Sequence, residues 1–150
     1  MSAAPTTEAS MLLHSDSDLR ALLAGTRTIA VVGMSDKEER ASHYVARYMR
    51  EHGYTIIPVN PACSEIAGLT CYPSLRDVPV PVDMVNVFRR PDDIPPVARD
   101  AVAIGAKSLW IQLGLVSAEA EAIASAAGLA VVMDKCVKVE HARLFEPPRF

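Results

Sequence analysis

The run Thr28-Ile-Ala-Val-Val-Gly33 holds no polar side chain between its first residue and its closing glycine. A strand with one face in water alternates polar and apolar residues, so a continuous apolar run belongs to a strand covered on both faces, as in a parallel sheet. Ser42 can then cap a helix in which Val45, Tyr48, Met49 and His52 recur at helical spacing, and Gly53 stops it. Tyr54-Thr-Ile-Ile-Pro-Val59 follows at once as a second strand. Together these segments make a β-α-β unit, whose crossover is almost always right-handed.

The same alternation continues. Met84-Val-Asn-Val-Phe88, Ser108-Leu-Trp-Ile-Gln-Leu113 and Leu129-Ala-Val-Val-Met133 read as strands. Between them, residues 93–104 form a helix with Pro95 and Pro96 in its first turn, and residues 117–127 form another, opened by Ser117 with Glu119 and Glu121 near its positive end. Ahead of them, Ser15-Asp-Ser-Asp18 precedes Leu19, Leu22 and Leu23, which predicts a helix ending near Gly25 and packing across a sheet edge. Residues 137–146 add a short terminal helix. The expected fold is α/β, a doubly wound sheet of about five parallel strands between two helical layers. Residues 1–10 are expected to be a flexible tail and 11–150 a single domain, since no repeat or linker interrupts them.

At 150 residues, half of them hydrophobic, the chain can bury a core without metal or disulfide support. A net charge of -3 argues against a general nucleic-acid or anionic-membrane binder, so any anion site must be local. Cys63, Cys71 and Cys136 are odd in number and lack zinc-ligand spacing, which fits reduced thiols in a cytoplasm. The first ten residues have neither the basic start of a signal peptide nor the apolar length of a membrane span.

Ligands of doubly wound sheets bind above the carboxyl ends of the strands, which directs attention to the loops there. In the first, Gly33 permits a tight turn, Ser35 and Ser42 offer hydroxyls, and Lys37 and Arg40 add positive charge. The three-glycine dinucleotide fingerprint is absent, so Gly33 as a simple turn and Ser42 as a simple cap stand beside a phosphate site. The second strand ends in Asn60-Pro61, without the carboxylate that binds an NAD ribose, although Asn can still hydrogen-bond a ribose or adenine. Phe88-Arg89-Arg90 could stack on adenine and pair with phosphate, or could be a core ring and two solvated arginines bridged to Asp92 and Asp93. Gln112 and Gly114 place an amide and a flexible backbone on the same rim, although Gln112 could instead satisfy buried backbone groups. No nucleophile, base and orienting group assemble; Cys136 and His141 are the one pair expected near the cleft.

Several blocks are shared in order and spacing with a known family: Val32-Gly-Met-Ser35, Arg40-Ala-Ser-His-Tyr-Val-Ala-Arg47, Ile57-Pro-Val-Asn-Pro61, Val87-Phe-Arg-Arg90, Ile111-Gln-Leu-Gly114 and Met133-Asp-Lys-Cys-Val-Lys-Val-Glu-His141. Over residues 27–145 the chain resembles the stand-alone CoA-binding domain proteins, which are similar to the CoA-binding domain of the succinyl-CoA synthetase α subunit. The resemblance implies a Rossmann-like domain with coenzyme A or an acyl-CoA as its ligand. Gly33 and Ser35 would contact the phosphates, with Arg40 and Ser42 in support. Asn60 would border the nucleotide on one side, Phe88 and Arg89 on the other, and Gln112 and Gly114 would border the pantetheine. Met34 and Pro61 belong to the matching blocks, and Ala41 stands where such proteins often have proline. Ligation in the related synthetases needs a nucleotide-grasping and a phosphohistidine-bearing domain, for which 150 residues leave no room. Binding without catalysis is therefore expected, alone, as a homo-oligomer or beside a partner enzyme subunit. A small NAD(P) oxidoreductase and an accessory subunit of a CoA ligase are the alternatives.

Overall fold

The computed structural model describes residues 10–146. Nine of the ten residues assigned to a flexible tail lie outside that range. The tenth, Ser10, is anchored: its hydroxyl donates to Glu121 Oε2 at 2.8 Å, and the next N–H, that of Met11, donates to Ser125 Oγ at 3.1 Å.

Seven strands form, β1 (Thr28–Val32), β2 (Thr55–Val59), β3 (Glu65–Ile66), β4 (Leu69–Thr70), β5 (Met84–Val87), β6 (Ser108–Ile111) and β7 (Ala130–Met133). The helices are α1 (Asp16–Ala24), α2 (Ala41–Glu51), α3 (Ile94–Ala103), α4 (Ala118–Ala126) and α5 (Val137–Phe145). The main sheet is parallel, in the order β2-β1-β5-β6-β7. From β1 the chain moves outward to β2, then returns to the far side of β1 as β5. Strand order therefore reverses between β1 and β5, and the crevice of this α/β fold opens above that pair.

Alternation along each strand explains why the strand sequences are apolar throughout. Ala30, Val32, Val85, Val87, Leu109 and Ile111 face one layer, where they pack with Ile94 and Ala98 of α3 and Ala120 and Ala124 of α4. Ile29, Val31, Met84, Trp110 and Val132 face the other, with Leu19 and Leu23 of α1, Val45 and Met49 of α2, and Val137 and Leu144 of α5.

The expectation that α1 crosses a sheet edge is corrected by this cluster. Leu19 and Leu23 reach the face of the central strands, where they are almost wholly buried, and α1 lies beside α5. The β7 edge is instead covered by the segment before α1, where Leu13 N–H donates to Val131 O at 2.8 Å and Val131 N–H to Met11 O at 2.9 Å. The β3–β4 hairpin is an addition that the strand pattern did not predict, because two-residue strands carry no periodicity.

Asp83 ties the amino ends of the central strands together. Its Oδ2 accepts the N–H groups of Arg27 and Thr28, each at 3.0 Å, and its carbonyl accepts those of Lys107 and Ser108. Burial pushes its carboxyl up, but the two backbone bonds and the charges of Lys107 and Arg27 outweigh burial and hold it below the usual carboxylate range. A depressed folded-state value stabilises the fold above the unfolded pKa, and that stability is lost as pH falls through the folded value. Asp83→Ala should cost about 1–3 kcal/mol at pH 7, because two N–H groups lose their partner. Urea unfolding should show the gap to wild type narrowing below pH of about 4.

Candidate functional site

At the end of β1, Gly33 has φ +89°, and a Cβ there would lie 2.4 Å from the Phe88 carbonyl oxygen and 3.1 Å from Arg89 Cδ. Two independent constraints thus require glycine: the left-handed backbone and the close crossing of the β1 loop over the end of β5. The Gly33 N–H donates to Val59 O at 2.8 Å, so the turn is also pinned to β2.

Beyond Gly33 the loop is held by side chains on three sides. Asn60 Nδ2 donates to Met34 O at 2.9 Å while Asn60 Oδ1 accepts the Ala62 N–H at 2.9 Å. Ser35 N–H donates to Ser42 Oγ at 2.9 Å, Lys37 N–H donates to Ser35 Oγ at 3.0 Å, and His43 Nδ1 donates to Ser35 O at 2.9 Å. Ser42 is therefore not the cap of its helix. The N-cap is Arg40, with no side-chain cap bond, and Ser42 is the second helical residue, its buried hydroxyl turned to the loop. The Met34 side chain is buried in the core, leaving its backbone at the turn.

Lys37 and Arg40 are exposed and form no ion pair among the described residues. The same loop carries Asp36, Glu38 and Glu39, so its side chains supply no cationic excess. Positive potential comes from elsewhere. A cavity of about 610 Å³, within the usual size range of small-molecule sites, lies between the first turns of α2 and α5, with Ala41, Tyr44, Cys136, Lys138 and Val139 in its wall. At these helix starts the N–H groups of Ala41, Ser42, Cys136, Lys138 and Val139 have no acceptor among the described residues. Two helix N-termini, each equivalent to roughly half a positive charge, thus converge on one space.

Phe88, Arg89, Arg90 and Gln112 also line it, with Leu113 and Leu115. Gln112 is 5% exposed, and its Oε1 accepts Asn86 Nδ2 at 3.2 Å and the Val137 N–H at 3.4 Å. Gln112 does serve a buried backbone group, as one reading of the sequence held, and this fixes the amide orientation. Among the described residues its Nε2 has no partner and no fully buried side-chain nitrogen or oxygen is left unpaired, so Nε2 opens to the cavity.

Arg89 separates this cavity from a smaller one of about 240 Å³, which it lines together with Gly33, Pro61, Ser74 and Pro96. Its guanidinium lies 3.6 Å from Asp93, and that of the exposed Arg90 lies 3.8 Å from the same carboxylate. Gly114 lies off both cavities; its N–H donates to Asp134 Oδ1 at 2.7 Å and braces the loops after β6 and β7. The structure therefore gathers Phe88, Arg89 and Gln112 at the larger cavity, and Gly33 and Pro61 at the smaller. Ser35, Lys37, Arg40, Ser42 and Asn60 form or hold the loop between β1 and α2.

Cys136 and His141 separate. Cys136 lines the larger cavity, whereas His141 is buried, with Nδ1 3.0 Å from the Tyr48 hydroxyl. Burial, then the neighbouring His52, pushes the His141 pKa below its ordinary value, and burial with the bond to Glu146 pushes Tyr48 up to about 12. Sequence reasoning missed Tyr44 and Lys138. The Lys138 Nζ lies 5.4 Å from the Tyr44 ring centre, a cation–π contact that joins α5 to α2 across the cavity wall. Only the helical register of residues 137–146 against 41–51 could have paired them.

The profile of the CoA binding domain matches residues 27–142. The chain belongs to the CoA binding domain family. Within this family it is 42% identical over 128 residues to the uncharacterized protein YneT of Bacillus subtilis, covering 85% of this chain and 95% of that one. A solved structure from Thermus thermophilus has a TM-score of 0.84 and 40% identity, covering 88% of this chain and all of the other. An ADP-forming acetate–CoA ligase of Archaeoglobus fulgidus is 31% identical over 106 residues, which cover 69% of this chain and only 16% of the ligase. The CoA binding domain thus occurs both as nearly a whole protein and as a small part of a ligase. Among the described residues no helix is long and apolar enough to cross a membrane.

Replacing Gly33 with alanine puts a methyl group against the Phe88 carbonyl at a left-handed φ. Gly33→Ala should lose at least about 1–3 kcal/mol of stability in urea unfolding. Gly53→Ala, with a similar φ of +99° but open space around it, should lose less.

Proposed function

We propose that this chain binds coenzyme A or an acyl-CoA over the carboxyl ends of the sheet strands, without itself catalysing a reaction, and that residues 11–150 act as one binding unit. The observation that carries this reading is the convergence of two helix N-termini, Arg89 and Lys138 on a cavity with apolar walls. Coenzyme A is a polyanion joined to an adenine and a neutral amide-bearing arm. Free N–H groups and guanidinium forks suit its phosphates, the Phe88 ring suits the base, and the unpaired Gln112 Nε2 suits a pantetheine carbonyl. Asn60 spends both ends of its amide on Met34 and Ala62, and its place at the end of β2 carries no carboxylate for an NAD ribose. Membership of a family that also occurs within acetate–CoA ligases supports the same ligand class. The matching part of such a ligase is a small fraction of its length, which supports holding or presenting the ligand, alone or to a separate enzyme subunit.

Calorimetry against CoA, acetyl-CoA, dephospho-CoA, NAD and NADP tests this directly. CoA and acetyl-CoA should give saturable heats and NAD none; a response to NAD with none to any CoA species overturns the reading. Ser35→Glu places a carboxylate where the pyrophosphate is expected, and should weaken CoA binding by about tenfold or more, with the melting temperature little changed. Arg89→Ala should weaken binding of CoA through its phosphates; an unchanged affinity would remove Arg89 from the site.

A further inference from the structure

A second cavity, of about 430 Å³, lies away from the strand ends, in the groove between α2 and the β3–β4 hairpin. One wall is apolar, built from Met34, Ala46, Ile56 and Leu69; the other is lined by Arg47 and Arg50. The hairpin that closes it turns through Ala67 (φ +54°) and Gly68 (φ +79°), both in the left-handed region, which is the two-residue turn whose twist matches paired strands. That turn aims the Ala67 carbonyl at α2, where Arg50 Nη1 meets it at a long 3.4 Å. Among the described residues Arg47 has one ionic neighbour, Glu38, at 3.7 Å; the pair is half to mostly exposed and contributes little.

His43 supplies the decisive feature. It is 5% exposed and lines this groove, and its Nδ1 donates to the Ser35 carbonyl. Its Nε2 has no partner among the described residues, and since no fully buried side-chain nitrogen there is unpaired, Nε2 opens into the groove. The accessible Nε2 edge of an otherwise buried imidazole, two arginines and an apolar slot thus line one space, with Glu51 the only acid among its described lining residues.

We propose that this groove is a ligand site for a monocarboxylate with a short aliphatic chain. The carboxylate would sit between Arg47 and Arg50; because Nδ1–H is given to the Ser35 carbonyl, His43 Nε2 would donate to it only from the doubly protonated ring, the second proton being taken up with the ligand, and the chain would lie against Met34, Ile56 and Leu69. Inorganic phosphate would meet the same cations but leave the apolar wall unused. An amine would be repelled by both arginines.

Calorimetry without any CoA species present, using hexanoate, hexanol, hexylamine and inorganic phosphate, tests the assignment apart from the CoA reading. Hexanoate should bind saturably, and the other three at least about tenfold more weakly. The Arg47→Gln, Arg50→Gln double variant should lose about tenfold or more in hexanoate affinity. Leu69→Trp, which fills the slot and leaves both cations in place, should abolish binding while keeping a cooperative melt. Nitrogen-detected NMR of His43 should show hexanoate moving Nε2 more than Nδ1. Absence of saturable hexanoate binding, phosphate binding as tight as hexanoate, or undiminished binding in Leu69→Trp would each overturn the site.

Discussion

The crossing of Gly33 over the Phe88 carbonyl is the contact on which the rest of the crevice depends. β1 and β5 are neighbours, and the chain leaves β1 at the level where β5 ends. Any side chain at position 33 would force those two strand ends apart, since the nearest atom is a backbone carbonyl and cannot swing away. With glycine there, the loop lies low across β5, is pinned to β2 through Val59 O, and delivers α2 onto the sheet face also used by α5. The meeting of the two helix starts above the sheet follows from that path. It also leaves five helix-start N–H groups without an acceptor among the described residues, four of them on residues that line the cavity.

That arrangement resolves an apparent conflict in charge. The chain is net negative, and the loop after β1 holds more acids than bases. The acids are exposed, where water and salt screen them, and Glu38 is further occupied by Arg47. The helix-terminal N–H groups and Gln112 line a cavity, where the dielectric is lower and each partial charge counts for more. Local geometry therefore decides the sign of the potential felt by a ligand, and total charge does not. Gln112 shows the same economy: one oxygen holds Asn86 and the start of α5, and the nitrogen is left over for the cavity.

The five-strand parallel sheet was legible because its strands are buried on both faces, and that burial writes itself as unbroken apolar runs. Helix limits followed from glycines and acidic first turns, with errors where side chains act at a distance. Ser42 resembles a cap by its position, but its hydroxyl serves a peptide seven residues back. α1 carries a helical apolar stripe that says it must be covered, yet nothing in the stripe says which part of the sheet covers it. The β3–β4 hairpin is too short for any period to register. At the crevice, Gly33, Phe88, Arg89 and Gln112 were readable because they close strands; Tyr44 and Lys138 were not, because their contact joins helices 94 residues apart in the chain, and only the docking of α5 on α2 creates it.

α2 is the element both cavities share, and its periodicity divides the work. Ala41, Tyr44 and Val45 look toward the crevice, while His43, Ala46, Arg47 and Arg50 look toward the hairpin groove. Adjacent residues on it grip the two peptides that flank one residue of the β1 loop: Ser42 Oγ takes the Ser35 N–H, and His43 Nδ1 gives its proton to the Ser35 carbonyl. A shift of the His43 ring toward the groove would act on that carbonyl, and a shift of the Ser35 backbone in the loop between β1 and α2 would act on the ring. Under the two proposed occupancies, any coupling carried by this imidazole would be reciprocal by thermodynamic necessity: whatever factor a ligand in the groove imposed on binding in the crevice, binding in the crevice would impose on the groove.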